Sequence, residues 1–405
     1  MMWEIAKLGD ISKNIQTGPF GSQLHQSDYS EGGIPVVMPK DLVGGKISEE
    51  SIARVDKTHV ERLCRHKIEV GDILYSRRGD VGRCAHVTKK EEGWLCGTGC
   101  LRVTIDSEKA DSRFVFFQLQ HPDTIGWVEK HAVGATMLNL NTTILSSVPI
   151  RLPALEIQKR IADILSAYDD LIENNQKQIK LLEEAARRLY KEWFVDLNFP
   201  GHENTKIVDG VPEGWNWCKL EDAIQLDPKV TLTKERMKQF IPMSALSTSS
   251  MVLDESQFTE TTSNSGSKFQ NGDTLLARIT PCLENGKTAY VSGLKSDEGA
   301  VGSTEYIVMR AKTINSYMVY LLARTDDFRQ SAINSMSGSD GRQRVKSDKL
   351  KMLDYLHPTG ELVEKFENVE EPIFEKIYRL SKQMQQTKQA RDLLLPKLMS
   401  GEVEV

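Results

Sequence analysis

Three arginines lie close together among glycines in the stretch SRRGDVGR, which covers residues 76–83. They are Arg77, Arg78 and Arg83. A guanidinium group binds phosphate oxygens or the edge of a guanine, and glycine lets another backbone approach closely. The stretch therefore predicts contacts with a nucleic acid. A solvated hairpin is the alternative interpretation.

A second candidate is the glycine-containing loop TGPFGSQLHQSDY at residues 17–29, whose tip carries Ser22, Gln23 and His25. A glutamine amide forms a bidentate pair with adenine, and a serine hydroxyl bonds several bases. The loop could equally be an ordinary one that supports a sheet.

Short polar residues gather in GATMLNLNTT at residues 134–143, where Asn139, Asn141 and Thr142 follow Thr136. Such residues either contact a target or cap the start of a helix, and we favour the contact.

The later stretch MSGSDGRQRVKSDK at residues 336–349 is richer in cations, with Arg342, Arg344 and Lys346 beside glycines. It predicts phosphate contacts. Arg278 also occupies the place of Arg77 in the second half of the chain, which suits either a DNA contact or a structural salt bridge.

Some of these candidates recur because the two halves of the chain repeat the same order of sequence motifs. WEIAKLGDI near Trp3 is echoed by WNWCKLEDAI near Trp215, and VGDILYSR by NGDTLLAR. IRLPALEIQKRI is echoed by DYLHPTGELVEKF. Each copy has short β-branched and aromatic runs broken by Gly, Pro and Asn, a helical patch, and then a long helix. The order predicts a duplicated α+β module.

The long helices carry apolar residues with a seven-residue spacing. In the first helix these positions are Leu165, Ile172, Ile179, Ala186 and Trp193, and Ile161, Tyr168, Asn175, Leu182 and Leu189. The second helix repeats the pattern, although Thr387 and Arg391 interrupt it. We expect the two helices to pack on each other in antiparallel fashion. Asn175 is either a polar residue that sets their register or a partly exposed residue near the helix centre. Alternatively, each helix folds back on its own domain.

Net charge, apolar runs and absent motifs exclude several classes of protein. The net charge of −5 argues against a uniformly basic surface but leaves room for a local basic face. The start of the chain lacks a signal-peptide pattern and no apolar run is long enough to span a membrane, so we expect a cytoplasmic protein. The chain has no Pro-Pro pair, so the adenine-methyltransferase tetrapeptide that ends in Pro-Pro-aromatic is absent. NGKT resembles the end of a phosphate-binding loop, but Pro281 stands where that loop needs its first glycine. We therefore predict no catalytic and no metal site.

Several motifs together resemble the specificity (S) subunits of type I restriction–modification systems. They are GPFGSQLHQSDYSEGGIPVVMPKDL, GDILYSRRGDVGRCAHV, LNLNTTILSSVPIRLPALEIQKRIADIL, RRLYKEWFVDLNFPGHE, VPEGW and RDLLLPKLMSGEVEV. The resemblance implies two globular mixed α/β target-recognition domains, in a pseudo-two-fold arrangement and separated by two long antiparallel helices. The implied boundaries are 1–154 and 199–358 for the domains, and 155–198 and 359–405 for the helices.

The resemblance also implies partners. Double-stranded DNA would be read in two halves, two methyltransferase (M) subunits would dock on the helices, and restriction (R) subunits would complete the complex. S-adenosylmethionine is expected on the M subunits, so this chain would hold no cofactor. A specificity subunit of a type IIB-like enzyme, or a scaffold that binds no nucleic acid, remains the alternative.

Overall fold

The chain divides into two compact units, which we describe from a computed structural model of residues 3–134, 138–296, 298–338 and 343–405. Unit 1 comprises residues 1–171 and 386–405, and unit 2 comprises residues 172–385. Each unit therefore contains one globular segment and part of each of two long helices.

The strands of unit 1 form two four-stranded sheets and two strand pairs. They are β1 (Glu4–Lys7), β2 (Ser12–Thr17), β3 (Tyr29–Ser30), β4 (Ile34–Val37), β5 (Leu42–Val43), β6 (Lys46–Ile47), β7 (Ala53–Val55), β8 (Ile73–Ser76), β9 (Cys84–His86), β10 (Leu95–Cys96), β11 (Cys100–Ile105) and β12 (Pro149–Leu152). The sheets have the orders β2-β11-β8-β9 and β10-β4-β7-β3, while β1 pairs with β12 and β5 with β6. All four residues of β8 are buried, as expected for a strand covered on both faces.

Helices cover the sheets of unit 1. They are α1 (Lys57–Arg62), α2 (Ser112–Leu119), α3 (Pro122–His131) and α4 (Thr142–Ser146), followed by the long α5 (Leu155–Phe194), whose first part belongs to this unit. Asp111 caps α2 by accepting hydrogen bonds from the backbone of Arg113 and Phe114. This cap fixes the start of a helix that buries its phenylalanines in the core of the unit.

Unit 2 repeats this plan. Its strands are β13 (Ile207–Val208), β14 (Val211–Pro212), β15 (Asn216–Lys219), β16 (Ile224–Leu226), β17 (Lys238–Ile241), β18 (Thr259–Thr261), β19 (Ser267–Phe269), β20 (Thr274–Ala277), β21 (Thr288–Tyr290), β22 (Ala300–Gly302), β23 (Tyr306–Ala311) and β24 (Asp354–His357). Its helices are α6 (Leu220–Ala223), α7 (Ser316–Ala323), α8 (Asp326–Asn334) and α9 (Ser347–Lys351), with α10 (Gly360–Ser400) beginning in this unit.

The strand pairing confirms the duplication predicted from the sequence. The sheet β16-β23-β20-β21 has the order of β2-β11-β8-β9, and β15 pairs with β24 as β1 pairs with β12. Both units also contain one parallel pair, β4 with β10 and β17 with β22. The mixed α and β content of each unit agrees with the predicted fold class.

In unit 1 the first part of α5 lies against the end of α10. Leu165 and Leu398 are buried in one apolar cluster, and a guanidinium nitrogen of Arg391 lies 2.6 Å from a carboxylate oxygen of Asp169. This ion pair explains how the second helix tolerates an arginine in its apolar stripe.

In unit 2 the end of α5 lies against the start of α10. The Phe366 ring is fully buried, and its centroid lies 5.4 Å from that of Trp193 and 4.8 Å from that of Phe194. In unit 1 the first part of α5 meets the end of α10, and here the end of α5 meets the start of α10. Antiparallel helices are expected to pair in this way. Every predicted stripe position of α5 is buried or half-buried, and Asn175 is among the buried ones. Within the described residues, no helix is both long and apolar enough to cross a bilayer.

Candidate nucleic-acid interface

Two of the predicted segments meet at the end of β8 in unit 1. The Arg77 N–H donates to the carbonyl of Gly99 at 2.8 Å, and the Arg77 carbonyl accepts from Leu140 N–H at 2.8 Å. Arg78 and Asn139 then form an isolated antiparallel bridge. The arginine-rich loop and the asparagine-rich segment, separate in the sequence, thus form one surface.

The glycine-containing loop joins this surface through Phe20. The Arg77 guanidinium carbon lies 6.0 Å from the centroid of the Phe20 ring, within reach of a cation–π contact. The loop begins at Gly18, whose N–H donates to Cys100 O at 2.9 Å. A β-carbon at Gly18 would lie only 2.0 Å from the carbonyl oxygen of Gly97, so only glycine fits this approach.

The polar tip of this loop presents side chains in different ways. Ser22 and His25 are exposed, and Gln23 is half-buried. The Gln23 side-chain oxygen accepts from Phe20 N–H at 3.1 Å, which orients the amide and leaves its NH₂ group as the available donor. The His25 N–H donates to the Asp28 carboxylate at 2.9 Å, which closes the turn.

Two buried polar atoms of these segments have no partner among the residues that the structure describes. The Arg77 Nε and the Asn139 side-chain oxygen are buried without a hydrogen bond within the described part of the chain. Such atoms are rare in folded proteins, because each costs about 1–3 kcal/mol unless a partner is supplied.

The remaining candidates of unit 1 have varied surroundings. Arg78 is exposed, whereas the Arg83 guanidinium donates to Asp80 at 2.7 Å. Asn141 is the N-cap of α4, with its side-chain oxygen accepting from Ile144 N–H at 2.8 Å, and Thr142 is the first residue of that helix. The cap accounts for the position of Asn141, and its contact with DNA stays a prediction.

Unit 2 has the same framework around Arg278, meaning the backbone hydrogen bonds that join this arginine to two other segments of the chain. The Arg278 N–H donates to Glu305 O at 2.9 Å, and the Arg278 carbonyl accepts from Val345 N–H at 2.9 Å. Arg344 bridges Ile279, as Asn139 bridges Arg78 in unit 1. Arg278 and Arg77 are therefore structurally equivalent, and so are Arg344 and Asn139.

The side chains on this second framework differ from those on the first. The Arg278 Nε donates to the carbonyl of Val345 at 3.1 Å, so part of its guanidinium supports the backbone. Arg344 is paired with Glu305, and the hydrogen bonds from its guanidinium lower the pKa of that carboxyl. Lys346 is exposed at the N-terminus of α9. Arg342 lies outside the described residues.

A groove beside Arg278 contains cations that the sequence did not single out. It is lined by Lys229, Lys268 and Arg278 together with hydroxyl and backbone groups. Asp227 also lines the groove, and its carboxylate accepts from Val308 N–H at 3.0 Å and from the Ser347 hydroxyl. Lys229 and Lys268 are far apart in sequence and match no motif, so only the fold brings them together. Among the described residues, no group of three or more His, Cys, Asp or Glu side chains is placed to hold a metal ion.

Comparison with known proteins shows what the chain is similar to. Residues 2–184 match the family described as "Type I restriction modification DNA specificity domain". The chain is 26% identical to the type I restriction enzyme MjaIX specificity subunit of Methanocaldococcus jannaschii, across 100% of this chain and 94% of that relative. It is 20% identical to the HindI specificity subunit of Haemophilus influenzae, across 99% of both chains.

A solved structure has the same fold. The crystal structure of the S subunit of a type I restriction–modification system from M. genitalium superposes with a TM-score of 0.63 at 15% identity. The match covers 98% of this chain and 96% of that one.

Proposed function

We propose that this chain, which belongs to the specificity subunits of type I restriction–modification systems, reads a two-part DNA target with one unit for each half. The observation that carries the proposal is the repeated framework. In each unit an arginine follows a buried central strand, and its carbonyl accepts a backbone hydrogen bond from a polar segment that precedes a short helix. The N–H of the same arginine donates to the residue that precedes the neighbouring strand of the sheet. Two equivalent surfaces with different side chains suit the reading of two different sequences.

The side chains on these surfaces match the chemistry of DNA. Exposed or half-exposed arginines and lysines supply phosphate contacts, while Gln23 and Arg344 are of the types that form bidentate pairs with bases. The net charge of −5 fits a subunit with few phosphate contacts of its own. We therefore expect full affinity only when partner subunits add theirs.

The long helices provide the surface for those partners. We expect two M subunits, which carry S-adenosylmethionine, to dock on α5 and α10, and R subunits to join the assembly. Exposed apolar side chains on these helices include Leu181, at 64% exposure, and Leu393, at 63%. In this division of labour the chain selects the site and has no methyltransferase or nuclease activity.

Methylome sequencing tests the proposal. A host strain would carry the M subunit with this chain, with an empty vector, or with a chain truncated after residue 171. We expect adenine methylation at a motif made of two short sequences around an unspecified spacer, and only when the full chain is present. A motif that persists without the chain, or a single uninterrupted motif, would contradict the proposal.

A further inference from the structure

Arg344 and Glu305 form a two-pronged ion pair in unit 2. The Arg344 Nε lies 2.9 Å from one carboxylate oxygen of Glu305, and Nη2 lies 2.7 Å from the other. Nη1 has no partner among the residues that the structure describes. The Arg344 side chain remains 45% exposed, so one edge of the guanidinium is held while the other faces outward.

The backbone under this arginine is also fixed. Its N–H and carbonyl form hydrogen bonds of 3.0 and 3.1 Å with Ser337, and the next residue, Val345, is bonded to Arg278. A long side chain normally loses rotamer freedom when it binds a ligand. Because Glu305 already holds this one, the outward edge is preorganised.

The charge around Arg344 distinguishes a contact with a DNA phosphate from a contact with a guanine base. A phosphate contact needs net positive charge, and a carboxylate beside the arginine cancels that charge and repels the phosphate. A guanine edge instead needs two parallel donors in a fixed plane, which the outward edge of the guanidinium supplies to O6 and N7. The pairing with Glu305 therefore favours base reading and disfavours the phosphate contact expected from the sequence.

The equivalent position in unit 1 has the same backbone arrangement. Asn139 has the same backbone pairing, with hydrogen bonds of 2.9 and 3.0 Å to Val133. Arginine and asparagine are the side chains that form bidentate pairs with guanine and adenine, respectively. The Asn139 side-chain oxygen is buried, so its amide would have to turn outward to form such a pair. What the two units share is therefore the backbone arrangement.

We propose that Arg344, held in place by Glu305, reads a guanine in the half of the DNA target that unit 2 recognises. The proposal rests on the proposed function, and it adds an identified base, an identified reader and a residue that positions the reader.

The test compares methylomes of cells that express the M subunit with wild-type chain, Arg344→Lys or Glu305→Gln. Lysine keeps the charge but loses the planar fork, so Arg344→Lys should relax one guanine position by about 5- to 150-fold and leave the other half unchanged. Glu305→Gln should relax the same position and steepen the salt dependence of DNA binding by the purified complex, since a negative charge is removed. Arg236→Lys, in an exposed ion pair with Glu298 elsewhere in unit 2, is the matched control and should leave the motif unchanged.

Two results would overturn the inference. One is an unchanged motif for Arg344→Lys in a complex that unfolds at the wild-type temperature, as a phosphate contact or a purely structural ion pair would give. The other is relaxation at a base pair other than G·C. Failure of the proposed function looks different, because the wild-type chain would then produce no two-part motif.

Discussion

Glu370 on α10 gives the structure a measurable dependence on pH. Its side chain is fully buried, and neither carboxylate oxygen has a hydrogen-bond partner in the described residues. Burial raises the pKa of this carboxyl from its ordinary value of 4.5 to about 7, because the charged form loses its hydration. Burial also raises the pKa of Glu183, but the Ser250 hydroxyl and the Met251 N–H donate to its carboxylate and oppose that rise.

The sign and size of the effect follow from proton binding. Between pH 4.5 and 7 the folded state keeps this proton while the unfolded state has lost it. The free energy of unfolding therefore falls as pH rises through this window. Below the window Glu370 costs nothing, and above it the full loss of stability remains and no longer changes with pH. A shift of this size corresponds to about 3 kcal/mol.

Glu370→Gln removes the ionisable group and should abolish this part of the pH dependence. We expect the variant to match the wild type within about 1 kcal/mol near pH 4.5 and to exceed it by up to about 3 kcal/mol at pH 8. Hydrogen exchange of the α10 amides from residue 362 to 380 reports the stability of this region directly. Glu361→Gln, at an exposed position 2.7 Å from Lys365, is the control and should change stability by less than about 0.5 kcal/mol. A difference between Glu370→Gln and wild type that is the same at pH 5 and pH 8 would refute the reasoning.

Three further substitutions test the packing of the helices. Asn175→Leu should stabilise unit 2 by about 1–2 kcal/mol in urea unfolding, because the buried amide nitrogen has no partner within the described chain; a clear loss would show that the polar group is needed there. Phe366→Ala should lower the free energy of unfolding of unit 2 by about 3–5 kcal/mol. The control Leu181→Ala, at an exposed position, should change it by less than about 0.5 kcal/mol. A loss below about 1 kcal/mol for Phe366→Ala would contradict the packing described. Arg391→Met should destabilise unit 1 by about 1–3 kcal/mol, since Asp169 loses its ion-pair partner in a half-buried site; an unchanged melting temperature would mean that the pair contributes nothing.

The sequence predicted the fold well where the signal is periodic. The seven-residue spacing of Leu165, Ile179 and Trp193 identified the buried face of α5, because a helix repeats its faces at that interval. The echoes between the two halves likewise predicted a duplicated domain. Arg391 looked like a defect in the stripe, and only the structure shows Asp169 as its partner.

The candidate surface was harder to predict because its parts are distant in sequence. Arg77 and Asn139 belong to separate motifs, and the backbone hydrogen bonds that join their segments leave no trace in either motif. Glu305 was missed for the same reason, since it lies 39 residues from Arg344 in an unremarkable stretch. Asn141 shows the opposite difficulty, as a short polar residue before a helix suits a cap and a DNA contact equally.

The central claim is that each unit reads its own half of the target. The most direct measurement is methylome sequencing of cells that express the M subunit with either Gln23→Ala in unit 1 or Arg344→Ala in unit 2. The account predicts that each substitution relaxes one half of the wild-type motif, that the two affected halves differ, and that the spacer stays the same. A single substitution that relaxed both halves, or two substitutions that relaxed the same half, would contradict it.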